Sequence, residues 1–309
     1  MPVVEAPTAI DSVRPPGRQT GVRSRLLKSP TVVVGAAILA VILAIGLAAP
    51  WLDTVDPAAI NPAVRNKGPG FVELARNADG TQRMIEHRMG TDTLGRDVYS
   101  RVLYGARTSL LVGVTVAAIS VAIGLCIGLI VGYVRWLDGI VMRVMDGVMA
   151  IPAILLAIAV VSLSSAGLVA VIVAIVIPEI PRVVRLVRSV VLSVREEPYV
   201  EAAISVGTPT LPLVIRHILP NTIPPLIVQA TYIVAVAILI EAILSFLGVG
   251  IPPETPTWGN IMAEGRALFR IFPHNILYPG IFLALTILAV NMLGDGLRDT
   301  LDPRMKKRL

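Results

Sequence analysis

The stretch GVMAIPAILLAIAVVSLSSAGLVAVIVAIVIP, from Gly147 to Pro178, contains 32 residues and no charged side chain. A single α-helix of this length would be about 48 Å long, whereas the apolar part of a bilayer is about 30 Å thick. Small and turn-forming residues cluster inside the stretch at Ser162–Gly167 (SLSSAG). The stretch therefore predicts two membrane helices that are joined by a turn at Ser162–Gly167.

Further apolar stretches lie on both sides of this pair. They run over Thr31–Pro50, Thr108–Val134, about Pro224–Gly248 and about Ile276–Leu297. Each has about 20 residues or more, which is enough for a helix to cross the bilayer. The sequence therefore predicts an all-α, polytopic membrane protein with six transmembrane helices.

The distribution of Lys and Arg predicts the orientation, because these residues favour the cytoplasmic loops of membrane proteins. With both termini inside, the segments 1–30, 135–143, 182–217 and 298–309 hold 17 Lys and Arg in 87 residues. The outer segments 51–107, 164–166 and 249–277 hold 10 in 89 residues. We predict cytoplasmic N and C termini. The predicted parts are a basic tail (1–30), a first helix with an outer loop (31–107), a five-helix core (108–298) with a cytoplasmic hairpin (196–220), and a C-terminal tail (299–309).

The composition excludes a large soluble domain. Hydrophobic residues make up 55% of the 309 residues and charged residues 16%, and the mean hydropathy is +0.77. A soluble fold of this size could not hide so much apolar surface. The net charge of +6 is concentrated in a few segments, which argues against a nucleic-acid partner. The single Cys126 excludes a disulfide framework.

Several polar residues fall within or near the predicted spans, where a charge should face protein, water or another charge. The candidates for lining a solute pathway are Glu241, Asn291 and Asp146. An alternative for Glu241 is a structural hydrogen bond. Arg143 and Asp146 are spaced i, i+3, as are Asp295 and Arg298, so local ion pairs are expected there.

Small residues recur every four positions in the second predicted span, at Ser120, Gly124, Gly128 and Gly132. This spacing places them on one helix face, where another backbone can approach closely. The face could support a solute pathway or could serve ordinary helix packing.

The segment between the fourth and fifth predicted spans contains Glu201-Ala-Ala-Ile-Ser-Val-Gly207 and, after nine intervening residues, His217-Ile-Leu-Pro220. Pro198 suits the first turn of a helix, and Glu196 and Glu197 suit its N-terminal dipole. Gly207 and Pro209 should bend or end that helix, and a second short helix could begin near Leu211. A compact helical hairpin is therefore expected on the cytoplasmic side.

This pattern, E-A-A-x3-G followed by L-P, resembles the cytoplasmic loop of binding-protein-dependent ABC importer permeases. In that family the loop forms a coupling helix, which docks in a groove of the ATPase subunit. The resemblance implies that ATPase coupling involves Glu201, Ala202, Ala203, Gly207, His217, Leu219 and Pro220. His217 stands where the family often has Ile, and RHILPN is similar to the peptide-transport branch.

Other segments resemble the C-type permease of the dipeptide, oligopeptide and nickel importers. These segments are MGTDTLGRD at Met89–Asp97, LSFLGVG at Leu244–Gly250 and NMLGDGLRD at Asn291–Asp299. The resemblance implies a bacterial or archaeal cell membrane, a second permease subunit in a heterodimer, two ATPase subunits and an extracytoplasmic solute-binding protein. It also implies that ATP and Mg²⁺ bind to the ATPase subunits, and that this chain binds no cofactor itself. The solute could be a dipeptide, a longer peptide, a nickel chelate, glutathione or an opine.

The sequence has no G-x-x-x-x-G-K-[ST] phosphate loop and no H-E-x-x-H motif, so no enzymatic activity is expected. Asp92 and Asp97 could form a metal site, but local pairing in an Arg-rich loop is the simpler interpretation. An ion-gradient-driven transporter is the main alternative function. An intramembrane hydrolase is a weaker one, because Ser162, Ser164 and Ser165 have no His on a neighbouring span.

Overall fold

The computed structural model describes residue 26 and residues 29–76, 82–164 and 167–301. The helices within these ranges are α1 Pro30–Ala48, α2 Val98–Tyr133, α3 Arg135–Met149, α4 Ala153–Ser162, α5 Leu168–Arg195, α6 Pro198–Ser205, α7 Thr210–Leu213, α8 Leu219–Phe246, α9 Trp258–Gly265 and α10 His274–Leu301. Two strands, β1 Phe71–Arg76 and β2 Gln82–His87, form an antiparallel hairpin. Most of the predicted tail 1–30 and residues 302–309 of the C-terminal tail lie outside the described ranges.

The helical membrane fold is confirmed, but the predicted number of six spans is not. Within the described residues, four helical segments are long and apolar enough to cross a bilayer, namely Pro30–Trp51, Val98–Tyr133, Thr210–Phe246 and His274–Leu301. A fifth arises if α3 and α4, which meet at 85°, are counted as one bent span. The remaining predicted span is α5, which is long enough but carries Glu179, Arg182 and Arg185 in its length.

The uncharged stretch Gly147–Pro178 is divided more often than expected. The predicted separation after Ser162 is present, because α4 ends at Ser162 and α5 begins at Leu168. Pro152 adds a second break between α3 and α4, since proline has no N–H to donate and disfavours a helical residue before it. As a result, α3 is a separate amphipathic helix with no buried residue.

The small-residue face of α2 packs against α5. A Cβ atom built on Gly124, Gly128 or Gly132 would lie 2.5–2.6 Å from the Cβ of Val183, Val187 or Val191, respectively. Only glycine allows this approach, because real Cβ contacts are never so short. The glycines of α2 and the valines of α5 both recur every four residues, so each glycine lies opposite one valine. These three contacts fix the register of α2 against α5.

Helix α1 packs against α10 and α2. A Cβ atom on Gly35 would lie 2.7 Å from the Ala289 carbonyl oxygen in α10, and one on Gly46 would lie 3.3 Å from Ala106 in α2. The rest of α1 is largely exposed, including Val41 and Leu47. This helix therefore lies at the edge of the bundle, with most of its apolar surface facing away from the chain.

The segments that were predicted to lie outside the membrane fold into a compact layer, here called the outer layer, at the start of α2 and the end of α8. The β1–β2 hairpin, which the all-α prediction did not include, pairs Phe71 with His87 and Leu74 with Met84. Trp258 of α9 is fully buried in this layer and donates a hydrogen bond from Nε1 to the Val102 carbonyl oxygen at 3.1 Å. This contact connects the start of α2 to the segment between α8 and α10.

Candidate functional site

The predicted hairpin begins directly after α5. The Arg195 side chain at the end of α5 donates a hydrogen bond to the Tyr133 carbonyl oxygen at 3.2 Å and lies over the Tyr133 ring at 5.4 Å. Residues Glu196 and Glu197 separate it from α6, in which Pro198 occupies the first turn. The short connection ties the position of α6 to the ends of α2 and α5.

Helix α6 ends in a Schellman motif at Gly207. The Gly207 N–H donates to the Ile204 carbonyl oxygen at 2.9 Å, and the Thr208 N–H donates to the Ala203 carbonyl oxygen at 3.1 Å. Gly207 has φ +79°, a left-handed conformation that glycine adopts without a steric penalty. No atom lies within 4 Å of a Cβ built there, so the backbone angle, and not the available space, requires glycine.

The hairpin has a buried face and an exposed face. Val200, Leu213 and Ile218 are at most 1% exposed and belong to the main apolar core. The exposed face presents Tyr199, Glu201, Ala202, Ile204, Val206, Gly207, Leu211 and Ile215. Val206 is 82% exposed and Leu211 69% exposed. Such a surface is available to a partner while the opposite face stays in the helix bundle.

The second half of the hairpin is a short helical turn that leads into α8. The hydrogen bonds widen to a π-type turn over Val214–Ile218. The His217 ring lies 6.3 Å from the Tyr199 ring, and the Asn221 amide donates hydrogen bonds to the Tyr199 hydroxyl at 3.1 Å and to the His217 carbonyl oxygen at 2.7 Å. These contacts hold α6 against the start of α8. Tyr199 and Asn221 were not among the predicted site residues.

The predicted coupling residues are therefore close together but differ in exposure. Glu201, Ala202, Gly207 and Pro220 are exposed, while His217 and Leu219 are partly buried. Ala203 is only 9% exposed and packs in the core. Its small size allows α6 to lie against the bundle, so Ala203 lies on the buried side of the predicted coupling segment.

The three candidate pathway residues do not meet in one place. Glu241 is fully buried and accepts a hydrogen bond from the Ser245 hydroxyl at 2.8 Å, as in the structural alternative. Asn291 is exposed on α10. Asp146 is 61% exposed and pairs with Arg185 of α5 at 2.7 Å.

The two expected local ion pairs are absent. Asp146 pairs with Arg185 across two helices and not with Arg143. Asp295 and Arg298 are both exposed and form no ion pair with each other or with another residue of the described ranges. An exposed i, i+3 pair contributes only about 0.2–0.5 kcal/mol, which is too little to hold two long side chains together.

Asp92 pairs with a nearby arginine in the outer layer, and Asp97 pairs with His87. Asp92 accepts a hydrogen bond from Arg96 Nε at 2.7 Å, and Arg96 also pairs with Glu264 of α9. Burial raises the pKa of Glu264, against the opposing effect of Arg101 and Arg96. No group of three or more His, Cys, Asp or Glu side chains that could hold a metal ion occurs among the described residues. Asp92 therefore has the arginine partner that was expected in this loop, whereas the partner of Asp97 is a histidine.

His87 lies between two carboxylates in the same layer. Its Nδ1 is 2.9 Å from Asp97 Oδ1, and its Nε2 is 3.3 Å from Glu73 Oε2. A neutral imidazole can donate from only one nitrogen, so both contacts require the protonated ring. The hydrogen bond with Asp97 is the main cause that raises the pKa of His87, and burial opposes it. The position of His87 in the sequence, two residues before MGTDTLGRD, does not predict its contacts with Asp97 and Glu73.

The raised pKa predicts that the attachment of the β-hairpin depends on pH. A raised folded-state pKa stabilises the protonated form, so the contribution is complete below about pH 6.5 and is lost as the pH rises through the higher folded value. Hydrogen exchange of the amides in β1 and β2, corrected for intrinsic rates, should show less protection at about pH 9 than at about pH 6. His87→Gln should remove this difference. Equal protection of the unaltered chain at both pH values would contradict the assignment.

Comparison with known proteins gives a consistent family. Residues 124–307 match the family described as "Binding-protein-dependent transport system inner membrane component". Residues 20–69 match the "N-terminal TM domain of oligopeptide transport permease C". A probable peptide ABC transporter permease protein, y4tQ of Sinorhizobium fredii, is 50% identical over 295 residues, or 95% of this chain and 96% of that protein.

More distant relatives agree with this match. The dipeptide transport system permease protein DppC of Alkalihalophilus pseudofirmus is 40% identical, with 91% of this chain and 88% of that protein covered. The glutathione transport system permease protein GsiD of Escherichia coli is 41% identical, with 72% and 74% covered. A solved chain of the MetNI methionine ABC transporter in an inward-facing conformation has a TM-score of 0.53 at 20% identity, over 65% of this chain and 96% of that one. That likeness concerns the fold alone.

The two-faced hairpin, the helical membrane fold and these matches lead to the same assignment. The chain belongs to the family of binding-protein-dependent transport system inner membrane components, the permease subunits of ABC importers.

Proposed function

We propose that this chain is the C-type permease subunit of an importer that moves peptides or related small solutes inward, with ATP hydrolysed on separate subunits. The observation that carries the proposal is the hairpin of α6 and α7. Its buried face, formed by Val200, Leu213 and Ile218, is part of the bundle core, while Glu201 and Val206 are exposed. A force on the exposed face would therefore move α5 and α8 directly.

The proposed partners follow from the exposed surfaces and from the family. Two ATPase subunits would bind ATP and Mg²⁺, and one of them would contact the hairpin near the shallow groove of about 270 Å³ between Leu211, Pro212, Ile215 and Arg216. A second, different permease subunit would complete the pathway. An extracytoplasmic binding protein would deliver the solute to the outer layer. This chain would bind no cofactor of its own.

The proposed location is the inner membrane of a bacterial or archaeal cell, with several crossings and both termini in the cytoplasm. The excess of Lys and Arg in the inner segments supports this orientation. The large exposed apolar side chains on α1 and α10, such as Val41, Leu47 and Leu285, suit contact with lipid or with a second membrane subunit.

The proposed solute class rests on the named activities of the relatives. They are a peptide, a dipeptide and a glutathione transport permease. Peptides and glutathione share amide bonds and at least one free carboxylate. A small peptide-like solute is therefore the class that suits this chain best.

The experiment that tests the proposal is uptake by the complete complex in proteoliposomes. We expect uptake to require ATP on the hairpin side and to continue after ionophores collapse the proton and sodium gradients. A complex in which the phosphate-loop lysine of the ATPase is replaced by alanine serves as the control and should be inactive. Uptake that needs no ATP and follows an ion gradient would favour the secondary-transporter alternative and overturn the proposal.

A further inference from the structure

Helix α5 carries Arg182 and Arg185 at the depth of the membrane, and Arg188, which lies nearer the inner end, is paired with Asp138 of α3. The close approach of Gly124 to Val183 places Arg182 beside the middle of the uncharged α2 stretch Thr108–Val134. Gly124 precedes Val134 by ten residues, so Arg182 lies about 15 Å from the inner end of that stretch. Arg185 lies between the levels of Gly124 and Gly128. Both guanidinium groups are therefore at a level where the neighbouring helix has no charge.

Arg182 is held by a buried carboxylate. Its Nη1 donates to Glu179 Oε1 at 2.9 Å, and the Glu179 side chain is 0% exposed while that of Arg182 is 34% exposed. The four-residue register that matches the glycines with the valines places Ser120 opposite Glu179, and both residues are fully buried. Glu179 thus fixes one edge of the guanidinium from inside the bundle. The other edge faces outward from the chain.

The neighbouring charges leave an excess of positive charge on this surface. Arg185 is 49% exposed and pairs with Asp146, which is 61% exposed. Arg143 is exposed on the same helix as Asp146 and forms no ion pair with any described residue. The neighbouring Arg188 pairs with Asp138 of α3, so four arginines on this surface face three carboxylates, namely Glu179, Asp146 and Asp138. The surface is complementary to an anion.

Lipid is a poor environment for such a surface, because charged side chains at membrane depth face protein or water. A guanidinium with free N–H donors binds a carboxylate in a bidentate manner. We propose that Arg182, positioned by Glu179 and assisted by Arg185, is a carboxylate-binding site on the wall of the solute pathway. The proposal rests on the proposed transport function and adds the part of the solute that this chain contacts.

Thiol labelling tests the proposal directly. Gly147 adjoins Asp146 and has no atom within 4 Å of an added Cβ, so Gly147→Cys introduces a reporter without strain. The exposed Cys126 is first replaced by serine. The complete complex in lipid nanodiscs is treated with two methanethiosulfonate reagents, the anionic sulfonatoethyl and the cationic trimethylammonioethyl compound. The rate at which each reagent labels the introduced cysteine is divided by its rate of reaction with free cysteine. We expect both reagents to react, and the anionic one about tenfold faster in relative terms, because fixed charge raises the local concentration of the opposite charge.

Two further variants assign the effect to Arg182. Arg182→Gln should abolish the preference for the anionic reagent. The double variant Glu179→Gln/Arg182→Gln leaves no unpaired buried carboxylate and should also lack the preference, which covers the case in which the single variant does not fold. Arg298→Gln, an exposed arginine on α10, should keep it.

The outcomes separate this inference from the proposed function. If neither reagent reacts, lipid or a partner subunit covers the surface, and the inference is wrong. Equal relative rates with and without Arg182 would also overturn it. ATP-dependent uptake by the Cys126→Ser/Gly147→Cys complex is measured in parallel, and a loss of ATP dependence there would contradict the proposed function instead.

Discussion

Replacing Gly207 by proline is expected to abolish ATP-driven uptake while the protein still inserts into the membrane. Gly207 has φ +79°, whereas proline is fixed near −65°. Proline also lacks the N–H that Gly207 donates to Ile204. The strain of about 1–3 kcal/mol and the lost hydrogen bond act on the exposed end of α6. The buried anchors Val200, Leu213 and Ile218 remain, so the bundle should stay folded.

The measurements are uptake, ATPase activity and association of the complex. The Gly207→Pro complex should hydrolyse ATP without accumulating solute, or should fail to retain the ATPase subunits during purification. Gly207→Asn is the matched control, because asparagine tolerates the left-handed conformation better than other side chains, and it should retain much of the uptake. Normal uptake by Gly207→Pro would show that the hairpin does not couple the two parts.

Charge reversal at Glu201 tests the same surface without a change in the backbone. Glu201 is exposed on α6, so Glu201→Arg should leave the fold intact and weaken the contact with an ATPase subunit. The two variants differ in mechanism, since one alters the end of α6 and the other alters only a side chain. If both variants lose ATP-driven uptake, the exposed face of α6 is the part of the hairpin that couples to the ATPase.

The hairpin could be predicted from the sequence because its signals are local. Pro198 at a helix start and Gly207 at a helix end act through the geometry of single residues, and the structure has α6 between them. The number of candidate spans differs from the predicted six for a physical reason. Hydropathy describes each segment alone, whereas α5 carries Arg182 and Arg185 within its length and pairs them with Glu179 and Asp146.

Contacts between distant segments explain the remaining differences. No local sequence pattern predicts that Asp146 pairs with Arg185, because the two residues are 39 positions apart. The expected partner, Arg143, is only three positions from Asp146. The ion pair of Arg96 with Glu264 spans 168 residues. Such pairs depend on the docking of whole helices, so local spacing rules do not reach them. The small-residue face of α2 was visible in the sequence, but its partner α5 was not.

Arg101 illustrates how much stability such distant contacts can carry. Its side chain is fully buried at the start of α2 and lies 3.8 Å from Asp92 and 3.6 Å from Glu264. It donates hydrogen bonds to the carbonyl oxygens of Pro57 at 3.3 Å and Pro253 at 3.1 Å. One guanidinium thus connects the loop after α1 to the segment after α8. Removing one partner from a buried charge network costs about 3–5 kcal/mol, because the remaining charges stay buried and uncompensated.

Arg101→Met is therefore expected to lower the thermal stability of the purified complex strongly, with loss of protection in the outer layer. Arg101→Lys keeps the charge but not the forked geometry, so its stability should lie between those of the original chain and the Met variant. Arg83, whose side chain is 51% exposed and pairs with the 65% exposed Asp53, provides the control. Arg83→Met should change the melting temperature little, because exposed ion pairs are weak. If the Arg101 and Arg83 variants melted at the same temperature, the buried network would not hold the outer layer together, and the apolar packing of Trp258 and Val102 would have to do so.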